Sequence, residues 1–225
     1  MIKAVLFDLD NTLIDFMRMK QVSSEAAVRS MIDAGLGIGE KQGLRKLYEM
    51  YEDQGIEDQK IFDKFVKQVH GEIDYKILAA GIAAYRKVKV GQLTPYPHAR
   101  SVLIRLRELG LKLGIVSDAP VKQAWLRLAE LNLMEFFDFV VAVGMTGKEK
   151  PHKMPFMRAI EKLGISPEEV LFVGDNPKRD ILGAKRSGMK TALAKYGQVV
   201  SSKEIRADFE LRGLNDLIKI VEKDN

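Results

Sequence analysis

Lys3-Ala4-Val5-Leu6-Phe7-Asp8-Leu9-Asp10-Asn11-Thr12-Leu13 is a short apolar run that meets acids without a break. A run of this length ended by polar residues reads as a buried parallel strand. Asp8 and Asp10 then fall just past its C-terminal end, where open α/β sheets place their ligands. Two carboxylates held about 4 Å apart repel by about 4 kcal/mol at a surface-like dielectric. A fold that keeps such a pair needs a cation or a shared proton to offset the repulsion. The stretch therefore predicts a metal-assisted carboxylate site at the edge of a parallel sheet.

The pattern around it supports that sheet. From Pro95 onward, strand and helix alternate. Helices are expected at 99–109, 121–133, 155–163, 181–187 and 214–221, and strands at 112–116, 139–143, 170–173, 191–194 and 208–211. Gly110, Gly164 and Gly188 close three of the helices. Such alternation predicts a doubly wound parallel sheet covered on both faces. Residues 15–94 differ. Their apolar residues recur at helical spacing, as in Val22, Ala26, Ala27 and Met31, or Ile61, Phe62, Phe65, Val66 and Val69. This stretch reads as a four- or five-helix module inserted between the first strand and the rest of the sheet.

Composition narrows the chemistry. The 225 residues contain no cysteine, which excludes disulfides, zinc-thiolate sites and cysteine nucleophiles. That suits a reducing, cytoplasmic setting. No apolar stretch approaches a signal peptide or a membrane span. The net charge of +5 is spread along the chain and suits anionic substrates. No basic block interleaves with aromatics, so nucleic acid is not an expected partner.

Four polar clusters follow strands or lie in the loops between them: Asp8, Asp10 and Thr12; Ser117; Lys150-Pro151; and Gly174-Asp175 with Asp180. Parallel strands end on one edge, so these clusters converge. In this order Asp8-Leu9-Asp10-Asn11-Thr12, Ser117, Lys150-Pro151 and Gly174-Asp175-Asn176-Pro177-Lys178-Arg179-Asp180 resemble the haloacid dehalogenase (HAD) superfamily. The resemblance covers residues 1–14 and about 95–221. It implies a Rossmann-like α/β core of residues 1–14 and 95–225, with residues 15–94 as a helical cap of the C1 type.

The resemblance also implies chemistry. Asp8 is the expected nucleophile, forming an aspartyl-phosphate. Asp10 is the expected acid for the leaving alkoxide and then the base for water. Mg²⁺ prefers one or two carboxylates beside substrate oxygen and water. Asp8 and Asp175 would supply the carboxylates, and Asp10 a main-chain carbonyl. Ser117 and Lys150 would hold phosphate oxygens. Thr12 is expected to hydrogen-bond to the loop and fix its turn, and Asp180 to orient Lys150 or a water on the metal. Asp180 as a plain helix N-cap is the duller alternative.

The expected activity is a phosphatase acting on a small phosphorylated metabolite, as a monomer or homodimer. Asp10 argues against a dehalogenase, whose leaving halide needs no proton. The absence of membrane spans argues against an ion pump. A phosphomutase of the β-phosphoglucomutase type stays open, and so does a non-enzymatic binding or regulatory protein on this fold. Ala83-Ala84-Tyr85-Arg86-Lys87-Val88-Lys89, leading to Leu93-Thr94-Pro95, resembles archaeal members assigned as glyceraldehyde 3-phosphate phosphatases. That implies glyceraldehyde 3-phosphate or a similar metabolite. Arg18 and Lys20, just after the first loop, read as a solvated face ahead of a substrate contact. His70, His98 and His152 read as surface or hinge residues, and Trp125, Phe136 and Phe137 as core. Gly91, Pro95 and Pro97 suggest a hinge beside the cap.

Overall fold

The computed structural model describes residues 1–224 and falls into two compact units, Met1–Phe16 with Thr94–Asn225 and Met17–Leu93. In the first unit six strands among the described residues form one parallel sheet: β1 (Ala4–Phe7), β2 (Lys112–Ser117), β3 (Phe139–Ala142), β4 (Val170–Gly174), β5 (Lys190–Ala194) and β6 (Phe209–Leu211). Their order is β3-β2-β1-β4-β5-β6. β1 is thus central, with Phe7 opposite Ile115 on one side and Val173 on the other.

All four residues of β1 are buried, as a strand covered on both faces requires. Side chains alternate between the faces of the sheet. Ala4, Leu6, Val170 and Phe172 meet Phe156, Ala159, Leu163 and Ala184 in one apolar cluster. Those partners lie on the two helices of Lys153–Leu163 and Leu182–Arg186. The remaining helices of this unit are Ala99–Glu108, Val121–Glu130, the short Val143–Thr146 and Asp216–Asp224. His152 lies exposed at the surface, as expected, and its Nδ1 caps the helix from Lys153, accepting from Met154 N at 3.2 Å.

The second unit holds four helices among the described residues: α1 (Phe16–Asp33, whose first residue lies in the sheet unit), α2 (Glu40–Gln54), α3 (Ile61–His70) and α4 (Tyr75–Gln92). It has its own core of Ala27, Val28, Met31, Leu47, Phe62, Phe65, Val66 and Ile77 with their neighbours. In chain order the later helices are α5 (Ala99–Glu108), α6 (Val121–Glu130), α7 (Val143–Thr146), α8 (Lys153–Leu163), α9 (Leu182–Arg186) and α10 (Asp216–Asp224). Lys20 departs from the solvated face expected of it. It is 7% exposed, donates to Ile56 O at 2.9 Å and lies 4.2 Å from the Tyr51 ring centroid. A carbonyl and an aromatic face replace the water its ammonium would otherwise hold.

The chain leaves the sheet unit and returns to it at one place. Ile14 and Pro95 form an antiparallel bridge. Asp15 N donates to Thr94 O at 3.1 Å, and Tyr96 N donates to Leu13 O at 2.9 Å. No helix among the described residues is long and apolar enough to cross a membrane.

Candidate active site

Strand register brings the separate motifs together. Asp8 follows β1, Ser117 ends β2 and Asp175 follows β4, all on one edge of the sheet. Asp8 N donates to Val173 O at 2.8 Å, so the first acid is pinned to the neighbouring strand by its backbone. Beyond it the loop closes on itself. Asn11 takes a left-handed φ of 59°, its N donates to Ile14 O at 2.7 Å, and Leu13 N returns to Leu9 O at 2.9 Å. Asparagine tolerates that conformation better than most residues.

Asp8, Asp175 and Asp180 form one buried group, each offering one carboxylate oxygen, and these three oxygens lie within 4.8 Å of one another. Lys150, with a fully buried side chain, bridges two of them: its Nζ is 2.7 Å from Asp8 Oδ1 and 2.7 Å from Asp180 Oδ1. Burial alone would lower the lysine pKa, but Asp180 and Asp8 outweigh it and hold the ammonium charged. Lys148 and Lys153, its neighbours in sequence, are exposed.

Asp180 is committed on both oxygens, since Oδ2 accepts from Asn176 N at 2.9 Å. It is not the N-cap of the turn that follows β4. That role belongs to Asn176, whose Oδ1 accepts from Lys178 N and Arg179 N. Gly174 makes room for Asp180: a Cβ there would lie 2.5 Å from the Asp180 side chain. The glycine of Gly174-Asp175 is therefore a steric requirement of the acid five residues on.

By contrast, Asp8 Oδ2 and Asp175 Oδ1 are buried and accept no hydrogen bond. Burial, then Asp8, then Asp180 push the Asp175 carboxyl up to about 8. Two unbonded carboxylate oxygens in such a field suit a hard divalent cation. Asp10 directs Oδ2 to Arg127, and the ligand role that the resemblance assigns to Asp10 belongs to its main-chain carbonyl.

Asp118 and Arg127 carried no motif, and Arg179 lay without an assigned role inside one. Asp118 ties two loops together: Oδ1 accepts from Lys150 N at 2.9 Å and Oδ2 lies 3.3 Å from Arg179 Nη1. Arg179 faces Asp8, Asp180, Asp118 and Asp175; burial opposes its charge, and these acids outweigh burial. Ser117 is buried, and its Oγ accepts from Ala119 N at 3.1 Å. Arg127 on α6 is 3% exposed, with Nη1 2.5 Å from Asp10 Oδ2 and its guanidinium carbon 4.4 Å from the Phe16 ring centroid. One signal was available for it. Arg127 shares the buried face of α6 with Ala124 and Leu128, and a buried arginine calls for a partner.

Thr12 corrects an expectation. Its hydroxyl is fully buried and makes no hydrogen bond, so it does not fix the turn that way. The backbone does so instead: Thr12 O accepts from the Tyr196 hydroxyl at 2.7 Å, and Tyr196 packs edge-on against Tyr96 at 4.8 Å. Gly197 comes so close that a Cβ there would lie 1.7 Å from Asn11 O.

Known proteins resemble the chain along nearly all of its length. Residues 5–194 match the model of the haloacid dehalogenase-like hydrolases. A glyceraldehyde 3-phosphate phosphatase of Methanocaldococcus jannaschii is 37% identical over 222 residues, covering 98% of this chain and 97% of the relative. A phosphoglycolate phosphatase of Aquifex aeolicus is 31% identical over 229 residues, covering 98% and 97%. Among solved structures, a HAD phosphatase from Thermococcus onnurineus has a TM-score of 0.73 at 27% identity and covers 98% of each chain. Strand order, the acids at the strand ends and the family match converge, and the chain belongs to the haloacid dehalogenase-like hydrolase family.

Proposed function

We propose that the protein is a cytoplasmic, Mg²⁺-dependent phosphatase that hydrolyses small phosphate monoesters through an aspartyl-phosphate on Asp8. The observation that carries the reading is the pairing of Asp8 with the buried Lys150 ammonium, next to two carboxylate oxygens, Asp8 Oδ2 and Asp175 Oδ1, that accept no hydrogen bond. Phosphatase relatives matching nearly the whole chain support it.

In this reading an Asp8 oxygen attacks phosphorus and the ester P–O bond breaks. Asp10 gives its proton to the departing alkoxide and later takes one from the water that cleaves the acyl phosphate. Lys150 and Ser117 hold phosphate oxygens, the first by charge and the second by hydroxyl. Asp180 and Asp118 hold Lys150 in place through its ammonium and its main-chain N. Mg²⁺ bound by Asp8, Asp175 and the Asp10 carbonyl would neutralise the acids and the dianionic phosphate. Residues 17–93 are read as a C1-type cap that selects the substrate. Glyceraldehyde 3-phosphate is the first compound to try and phosphoglycolate the second, in line with the relatives that carry those names.

The test is a panel of phosphorylated metabolites assayed with Mg²⁺ and with chelator. Steady phosphate release is expected only with the metal, and without a bisphosphate activator, which separates hydrolysis from mutase chemistry. Asp8→Asn should lower kcat by on the order of 10⁴ or more with folding intact. Substantial turnover by that variant, or full activity in chelator, would overturn the reading.

A further inference from the structure

We infer that Arg127 is a positioning residue for proton transfer to the leaving group, because it fixes the carboxyl of Asp10 beside the nucleophile's loop. The inference rests on the proposed role of Asp10 as acid and base.

Asp10 and Arg127 are far apart in the chain, yet Nη1 of the arginine lies 2.5 Å from Oδ2 of the aspartate. The arginine side chain is 4% exposed and the aspartate 19%. Three features set the guanidinium's position. Its stem leaves the buried face of α6 between Ala124 and Leu128. Its cationic end lies against the ring of Phe16, itself buried. Its fork is planar and presents donors in fixed directions, unlike an ammonium.

Stability alone does not account for the pair. Burying an arginine strips its charge of water, and an apolar residue of similar volume is often as good or better for stability. Orientation does account for it. An acid must lie within hydrogen-bond reach of the one oxygen it protonates, and a displacement of about 1 Å can cost on the order of 10²-fold.

The geometry also divides the two carboxyl oxygens. Oδ2 accepts from Arg127, so the transferable proton is assigned to Oδ1. As the ester O–P bond breaks, its electron pair goes to the leaving oxygen. That oxygen takes the Oδ1 proton, and the new O–P bond forms to Asp8. Asp10 ends the step as a carboxylate still paired with Arg127.

A shape-matched pair of probes isolates this step. Phenyl phosphate departs as a basic phenolate that needs a proton. 4-Nitrophenyl phosphate departs as a much weaker base that needs little help. Arg127→Lys keeps the charge and loses the fork, and Arg127→Met also loses the charge. For Arg127→Lys, kcat on phenyl phosphate should fall about tenfold further than on 4-nitrophenyl phosphate, with KM little changed. Arg127→Met should show a larger selective loss, within the 10²–10⁴ range of acid–base catalysis. Asp10→Asn, run alongside, should show the same selectivity at full size.

An unchanged substrate ratio in Arg127→Lys, or equal losses on both probes, would overturn the inference while a shifted ratio in Asp10→Asn keeps that residue's role. No shift in Asp10→Asn would remove the role of Asp10 and the inference together.

Discussion

Asp175 shows what the site costs the fold when no cation is bound. Its carboxyl is pushed from an ordinary 3.8 to about 8 by burial, Asp8 and Asp180. Between those values the folded state holds a proton that the unfolded state has released, so stability falls as pH rises through the window. In chelator, Asp175→Asn should therefore melt above the wild type. The gap should widen from about pH 4 to about pH 8 and level off above, with each 1 kcal/mol worth roughly 2–4 °C. Saturating Mg²⁺ should narrow or reverse the gap. Melting curves at a series of pH values check this, and a gap independent of pH would count against the ion cluster as its origin. Asp8, Ser117 and Asp175 were legible as site candidates because each ends an apolar strand. Arg127 was less so: its place between Ala124 and Leu128 on one face of α6 asks for a partner, but that partner lies across the fold. The bond from Tyr196 to Thr12 was hidden, because a main-chain carbonyl leaves no trace in the sequence.

Among the elements, strands were read more closely than helices. A buried parallel strand is marked by its own apolar run, and the observed β2 and β4 each extend the expected range by one residue, to Ser117 and Gly174. Helix ends depend on capping by residues outside the periodic pattern. The helix expected to reach residue 133 stops at Glu130, because Asn132 turns left-handed at φ 54° and Leu133 N returns to Leu128 O at 2.8 Å. Val143, expected in a strand, opens α7. The helix expected from residue 181 is already turning at Pro177, where Asn176 caps it. The turn Lys195–Gly197 after β5 carries a test at this scale. Gly197→Ala would force a methyl to within 1.7 Å of Asn11 O unless the backbone moves. We expect a loss of about 3 kcal/mol, as for overpacked sites. A reduced kcat should accompany it, since the turn bearing Asp10 must shift. Gly37→Ala, where a Cβ meets nothing within 4 Å, is the control. Equal melting temperatures for the two variants would show that the contact is soft.

At the scale of the molecule, each unit has its own apolar core, and the chain enters and leaves the helical unit through one hydrogen-bonded neck at Ile14 and Pro95. Replacing residues 17–93 by a short glycine-rich linker should therefore leave the sheet unit folded, with a single cooperative transition. Hydrolysis of 4-nitrophenyl phosphate should persist at a reduced rate, and discrimination among phosphorylated metabolites should be lost. An unfolded product by circular dichroism would show that the sheet unit is not autonomous. The strand order has a further consequence during synthesis. β1 carries the nucleophile, yet Ala4 pairs with Lys112 and Val170, both of which lie beyond the helical unit in the chain. On the ribosome, residues 17–93 emerge with a complete core of their own before β1 has either neighbour. The strand leading into Asp8 must wait as an unpaired apolar segment until β2 arrives, and has only one flank until β4 follows. Long-range closure of this kind is slow, and it is the interval in which a nascent chain is most exposed to wrong pairing.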